Sequence, residues 1–230
     1  MSSQTHPPSC RGPLHAPHRH HGHVHSDPFR RCHLGDGSVL ERPPASRTGA
    51  PAAGALPAEA TCTQCHVNFD EEKNPVNNLN LPGGAVELLD MPSTYMPGQT
   101  YTLRVRLSSD STADEPDRKW GFQVTAFRTS DGLGTGTFTV STTELKVVAG
   151  NPSGAFASRR YVEHTSTGTR TGIAGPVEWQ FDWHLPEFRR ATCFSASGNA
   201  ADGTLDPGKN FIYTSSAPRH GHPGRVQHLG

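Results

Sequence analysis

Two cysteines and a histidine stand close together in the first third of this 230-residue chain, as Cys62, Cys65 and His66. Cys-x-x-Cys-His is the sequence to which c-type haem is attached. Two thiols at this spacing can form thioethers with the vinyl groups of one porphyrin, and the adjacent imidazole can then bind the iron. The motif therefore predicts one covalent haem c, held by Cys62 and Cys65, with His66 as the proximal iron ligand.

Other uses of the same motif make different demands on the chain. A structural zinc site needs four ligands, usually from a second pair at regular spacing. The remaining cysteines, Cys10, Cys32 and Cys193, are scattered. A thioredoxin-like pair follows a strand and opens a helix, whereas residues 49–57 are rich in Gly, Ala and Pro, which is typical of turns. Zinc, an inert cysteine pair and a disulfide remain alternatives to haem.

Composition limits the classes of function. Only 33% of the residues are hydrophobic, and 24 Gly and 20 Pro thin the core further. These values favour one domain with irregular ends. The formal net charge is zero, so no overall field attracts nucleic acid or an anionic membrane. No run approaches the roughly 20 apolar residues of a membrane helix. We therefore expect neither nucleic-acid binding nor a membrane span in this chain.

The two ends of the chain differ from its middle. Eight of the 14 histidines lie between His6 and His33. The segments 1–46 and 217–230 are predicted to be disordered tails rich in His, Pro, Gly and Arg. A His-rich tract can also bind Ni, Cu or Zn ions. A third interpretation is a wrongly chosen gene start, which would explain why no secretory signal peptide is visible.

Alternating hydrophobicity predicts β-strands in the middle of the chain. Residues 100–107 and 177–185 place apolar side chains on one face and polar side chains on the other. Shorter candidates lie between turn-forming residues at 85–90, 120–127, 136–140, 145–148, 161–165, 192–196 and 210–214. No helical period follows Arg47. Nine short strands predict an all-β, antiparallel sandwich with the tryptophans in its core, and the attachment loop at its edge or end.

An ordered series of motifs then points to a family. The series is Thr48-Gly49-Ala50-Pro51, Cys62-Thr63-Gln64-Cys65-His66, Pro97-Gly98-Gln99-Thr100-Tyr101-Thr102-Leu103, Trp120-Gly121-Phe122-Gln123, Tyr161-Val162-Glu163-His164-Thr165, Trp179-Gln180-Phe181 and Gly198-Asn199-Ala200-Ala201-Asp202-Gly203. Over residues 47–216 it resembles the bacterial choice-of-anchor V or reelin-like (Reeler) proteins. The resemblance implies a haem-attachment segment at 47–84, an immunoglobulin-like, Reeler-like sandwich at 85–216, and export from the cytoplasm.

The sixth iron ligand has three candidates. His164 leads, because His66, His164 and His184 are the only histidines of the domain and the resemblance includes the setting of His164. His184 lies on the polar face of a predicted strand and is expected to be solvated. Met91 and Met96, in a turn-rich loop, are the alternative distal ligands.

These features favour an electron carrier or a binding module over a catalyst. No Gly-x-Ser-x-Gly elbow supports hydrolysis. The expected function is outer-sphere electron transfer or redox sensing with a redox partner protein, in the periplasm or at the cell surface. The alternative is a non-redox adhesion module of the cell surface that binds a protein or a glycan.

Overall fold

The computed structural model describes residues 43–185, 191–204 and 209–221. The expectations for the His-rich tract and for residues 222–230 therefore lie outside the described residues. The strands are β1 (Asn68–Phe69), β2 (Pro75–Val76), β3 (Gly84–Leu89), β4 (Thr94–Tyr95), β5 (Thr100–Ser109), β6 (Lys119–Arg128), β7 (Thr137–Thr139), β8 (Leu145–Ala149), β9 (Arg160–His164), β10 (Val177–His184), β11 (Thr192–Ala201) and β12 (Asn210–Gly221).

Two sheets face each other. One has the strand order β3-β5-β10-β7 and the other β4-β12-β11-β6-β9-β8, and every pairing in them is antiparallel except β4 with β12. The all-β sandwich is confirmed, and each of the nine predicted strands is present. Across the described ranges the helical structure consists of two 3-10 turns, Cys62–Gln64 and Ser166–Gly168. No helix there has the length and hydropathy that a membrane span requires.

Aromatic side chains fill the space between the sheets, as predicted for the tryptophans. Trp120, Trp179 and Trp183 are at most 2% exposed. Trp183 meets Phe194 of the opposite sheet edge to face, with ring centroids 4.7 Å apart, which is a favourable geometry for an aromatic pair. The buried indole of Trp179 donates to the carbonyl of Gly168 at 2.8 Å. Its polar atom is therefore satisfied, as buried donors generally must be.

A third layer covers the outer face of the six-stranded sheet. Val124 and Ala196 point into the core, so Gln123 and Ser197 point outward. Both are nevertheless fully buried, because residues 43–66 lie over them. The attachment loop was expected at the edge or end of the sandwich. That expectation is wrong for residues 43–66, which lie on the outer face of the sheet because polar side chains there supply hydrogen-bond partners for them.

A buried carboxylate fixes the segment in place. Glu59 Oε1 accepts hydrogen bonds from Arg159 Nη1 and Tyr161 Oη, both at 2.7 Å. Glu59 Oε2 accepts from Thr48 Oγ1 at 2.6 Å and from Thr48 N at 3.3 Å. The guanidinium of Arg159 is fully buried and lies 4.3 Å from the ring centre of Phe127. Burial, together with the adjacent carboxylate, raises the pKa of Tyr161. We call Glu59, Arg159, Tyr161 and Thr48 the Glu59 network.

We expect Glu59→Gln to lower the free energy of unfolding by about 3–5 kcal/mol, because it leaves the buried guanidinium of Arg159 without its counter-charge. Urea titration followed by circular dichroism measures the loss. The matched control is Glu178→Gln, which removes an exposed partner of Arg104 and should cost far less. Equal urea midpoints for the two variants would contradict the assignment.

Candidate functional site

The Cys-x-x-Cys-His motif forms one tight turn of backbone. Thr61 caps the 3-10 turn by accepting the backbone N–H of Thr63 at 3.2 Å, which satisfies a donor that the turn itself leaves unpaired. The backbone N–H groups of Cys65 and His66 both donate to the carbonyl of Cys62, at 3.1 and 3.0 Å. The motif therefore forms a compact turn of backbone at the end of residues 43–66, which we call the covering segment.

The two motif cysteines are in different chemical states. Cys62 is a buried free thiol whose sulfur accepts a hydrogen bond from Ser197 Oγ at 3.3 Å, and burial raises its pKa. Cys65 is disulfide-bonded. Cys193 is buried beside Phe127 and is also disulfide-bonded. Cys62 is thus the reduced thiol of the motif.

His66 has a defined hydrogen-bond partner on one ring nitrogen. Its Nδ1 lies 3.1 Å from Oδ1 of Asn210. An amide oxygen only accepts hydrogen bonds, so Nδ1 must carry the proton and Nε2 the lone pair. Asn78 Nδ2 also donates to the backbone carbonyl of His66 at 2.8 Å. The residue is solvent-exposed, and both its ring and its main chain are held by asparagines.

His164 occupies space that a glycine leaves open. A Cβ atom at Gly121 would lie 2.7 Å from Nε2 of His164, so any larger residue there would displace the ring. Nδ1 lies 3.0 Å from the backbone nitrogen of Phe122 and 3.2 Å from its oxygen. Burial lowers the pKa of His164 to about 4, so the ring is neutral at neutral pH. Because the backbone N–H of Phe122 donates to Nδ1, the proton of the neutral ring is on Nε2. Binding of a metal through Nε2 would require that proton to leave this nitrogen.

The two histidines share one region of the outer face of the sheet. They are close enough for the charge of His66 to lower the pKa of His164 further. Asn199, which pairs with Gly121 across the β6–β11 ladder, donates from Nδ2 to Asn210 Oδ1 at 3.0 Å. Its own Oδ1 is buried and has no hydrogen-bond partner among the described residues. The ring of His164 thus fills the space above Gly121, and a buried, unsatisfied acceptor lies on the neighbouring strand.

The two methionines lie elsewhere. Met96 is 57% exposed and follows Tyr95, whose hydroxyl contacts Thr192 at the start of β11. Asn210, the partner of His66, pairs with Ala201 at the other end of that strand. A strand of this length spans roughly 30 Å, so Met96 is far from His66. Met91 packs partly against the core between the sheets.

Among the described residues, His184 and the other His, Cys, Asp and Glu side chains form no further metal site. His184 is exposed, as predicted, and its Nδ1 lies 3.0 Å from Thr100 Oγ1. Within residues 43–185, 191–204 and 209–221, no three His, Cys, Asp or Glu side chains converge as a metal site would require. A structural zinc site therefore has no support in this part of the chain.

The site has the hydrogen bonding expected of a haem ligand at His66, and its cysteines would fit haem attachment only if Cys65 were a free thiol. A ligating histidine characteristically donates its other ring N–H to an oxygen. His66 has such an oxygen beside Nδ1, whereas Nδ1 of His164 accepts the backbone N–H of Phe122. Thioethers need free thiols, however, so the disulfide of Cys65 must be reduced before attachment can be completed.

Sequence reasoning missed the asparagines and Glu59. Asn199 and Asn210 lie in predicted strands or beside them, where a single polar residue in the outward phase carries no special signal. Glu59 lies in a turn-rich stretch without periodicity. Their roles come from contacts with residues 11 to 144 positions away in the chain, which no local pattern reveals.

Comparison with known proteins yields only remote likenesses. No protein-family model matches the chain, and no curated protein matches it. Among solved structures, it is similar to the human F-spondin reeler domain, with 16% identity over 67% of this chain and 92% of that chain, and a TM-score of 0.34.

Two further structures show similar values. The sixth cohesin of Acetivibrio cellulolyticus scaffoldin B, in complex with a Cel5 dockerin, has 11% identity over 60% of this chain and 99% of that chain, with a TM-score of 0.37. The bacterial hydrophobin BslA has 8% identity over 61% of this chain and 97% of that chain, with a TM-score of 0.31. At these identities and TM-scores, none of the three identifies a function for this chain.

We expect the Cys62 thiol to react at least about tenfold more slowly with iodoacetamide in the folded protein than in urea, because it is buried and its pKa is raised. Mass spectrometry of peptides after timed labelling at mildly alkaline pH measures both rates. Labelling of the folded chain as fast as the unfolded chain would show that the segment does not cover Cys62.

We also expect acid to destabilise the protein through His164. In the unfolded chain this histidine takes up a proton near pH 6.5, whereas in the fold it does so only near pH 4. Its contribution is therefore complete above the unfolded-state pKa and is lost as the pH falls towards the folded-state pKa, by at most about 3 kcal/mol. Urea midpoints across this range should fall less steeply for His164→Gln than for the unsubstituted protein. Identical slopes would contradict the buried position of His164.

Proposed function

We propose that this chain is a monohaem c-type protein that exchanges single electrons with a partner protein outside the cytoplasm. The observation that carries the proposal is the state of His66, the histidine of the motif. His66 has an oxygen acceptor beside Nδ1, and its Nε2 has no hydrogen-bond partner among the described residues. This is the pattern of an imidazole prepared to bind a metal through Nε2.

Each residue of the site has a separate task in this proposal. Cys62 and Cys65 would hold the porphyrin covalently, and His66 and His164 would be the axial ligands. Gly121 leaves the room that the His164 ring needs. When bound, haem supplies an iron that changes oxidation state by one electron. The chain's own part is to fix the two imidazoles and to keep His164 neutral.

Exposure and redox state support an electron carrier over a catalyst. His66 is solvent-exposed, which supports outer-sphere exchange with a partner protein that docks beside it. Disulfides persist in oxidising compartments, so the bonded state of Cys193 supports a location in the periplasm or at the cell surface. The resemblance to choice-of-anchor V and Reeler proteins supports the same location.

Expression with a secretory leader in a host that has the haem-attachment machinery tests the proposal. We expect a denaturing gel that stains for haem, a polypeptide mass raised by one haem, and a low-spin spectrum. His66→Ala should abolish normal ligation, and His164→Ala should convert the spectrum to a high-spin form, because the sixth ligand is lost. His184→Ala is the matched control and should leave the spectrum unchanged.

Two results would refute parts of the proposal. A folded chain of unmodified mass would exclude haem attachment and favour the surface interaction module that binds a protein or a glycan. A low-spin spectrum that survives His164→Ala would transfer the distal role to another residue, with Met91 and Met96 to be substituted next.

A further inference from the structure

Four buried asparagines, including its partner Asn210, lie around His66. Asn68, Asn78, Asn199 and Asn210 are each no more than 8% exposed, although the histidine beside them faces solvent. Buried amides are costly unless they are hydrogen-bonded. Two of them bond directly to His66 and the other two bond to Asn210, so the position and orientation of His66 are specified by a connected set of hydrogen bonds. We call these four residues the asparagine cluster.

Two members of the cluster fix the main chain. Asn78 Nδ2 donates to the carbonyl oxygens of both His66 and Asn210, at 2.8 and 2.9 Å. Asn68 Oδ1 accepts the backbone N–H of Asn210 at 2.8 Å. These bonds tie the end of the motif to the first residue of β12. The main chains of His66 and Asn210 are thereby held together.

The other two members orient the ring. Asn199 Nδ2 donates to Asn210 Oδ1 at 3.0 Å, so that this oxygen, and not the amide nitrogen, faces His66. Turning both amides over together would leave the Nδ2 group of Asn199 buried without an acceptor. The present orientation leaves only its oxygen unsatisfied, and buried N–H groups without a partner are the rarer of the two. Asn210 therefore presents an acceptor to Nδ1 of His66.

We propose that Asn210, oriented by Asn199, is a positioning residue that holds His66 in the tautomer with its lone pair on Nε2 and thereby sets the strength of His66 as an iron ligand. The second half of this inference rests on the proposed function. A hydrogen bond from Nδ1–H to an acceptor raises the basicity of a ligating imidazole. A neutral amide does so less than a carboxylate, so Asn210 keeps His66 a moderate donor.

The first experiment uses the full chain without haem, and does not depend on the proposed function. Nitrogen-15 NMR of the His66 ring at neutral pH identifies which nitrogen carries the proton. We expect Nδ1–H in the unsubstituted protein and a shift towards Nε2–H in Asn210→Leu and, to a smaller extent, in Asn199→Leu. A ring already protonated at Nε2 in the unsubstituted protein would overturn the proposal.

The second experiment uses the haem-loaded chain and its midpoint potential. Asn210→Asp places a carboxylate against Nδ1 and should stabilise the ferric state, which lowers the potential, whereas Asn210→Leu should raise it. A tenfold change in the one-electron equilibrium constant corresponds to about 59 mV. Asn80→Asp is the matched control, because it adds the same charge beside Thr214 of β12 without contacting His66.

The outcomes separate the two proposals. Potentials of Asn210→Asp and Asn210→Leu that equal that of the control, in variants whose circular dichroism is unchanged, would overturn the role of Asn210 as a determinant of ligand strength. A chain that takes up no haem would refute the proposed function instead, and the tautomer measurement would still decide whether Asn210 orients His66. If Asn210→Leu does not fold, Asn199→Leu gives the same test.

Discussion

The buried ion pair between Glu59 and Arg159 is the interaction on which the rest of the arrangement depends. Both side chains are fully excluded from solvent. The desolvation of two charges is offset only when the surrounding hydrogen bonds are made, and Tyr161 and Thr48 complete the set around the carboxylate. Since Glu59 lies only three residues before Cys62, the same contacts that satisfy the carboxylate also determine where the reactive motif meets the sheet.

The covering segment explains why strands of one sheet could be predicted from their sequence more completely than a strand of the other sheet. β5 and β10 have one face in the core and one in solvent, so their alternation predicted them directly. β11 has a covered outer face, and nine of its ten residues are buried. Alternation is lost where both faces are apolar or buried, which is why the predicted strand at 192–196 stopped short of Ala201.

The residues of the candidate site likewise differ in whether the sequence could predict them. The motif residues Cys62, Cys65 and His66 could be predicted because their chemistry depends on spacing along the chain. His164 could be named because few histidines were available, although the packing of its ring against Gly121 could not be predicted. The partner of His66, Asn210, is 144 positions away, and such a pairing follows only from the fold. Local patterns therefore identified the reactive groups, whereas the fold alone identifies the groups that hold them.

The covered position of Cys62 also limits when its thiol can be modified. Its sulfur faces Ser197 beneath residues 43–66, so a bulky group can be joined to it only while that layer is away from the sheet. Any enzyme that modifies this thiol must therefore act on a newly made, incompletely folded chain. Once the layer has closed, a group could be joined to the Cys62 sulfur only after local unfolding of the protein.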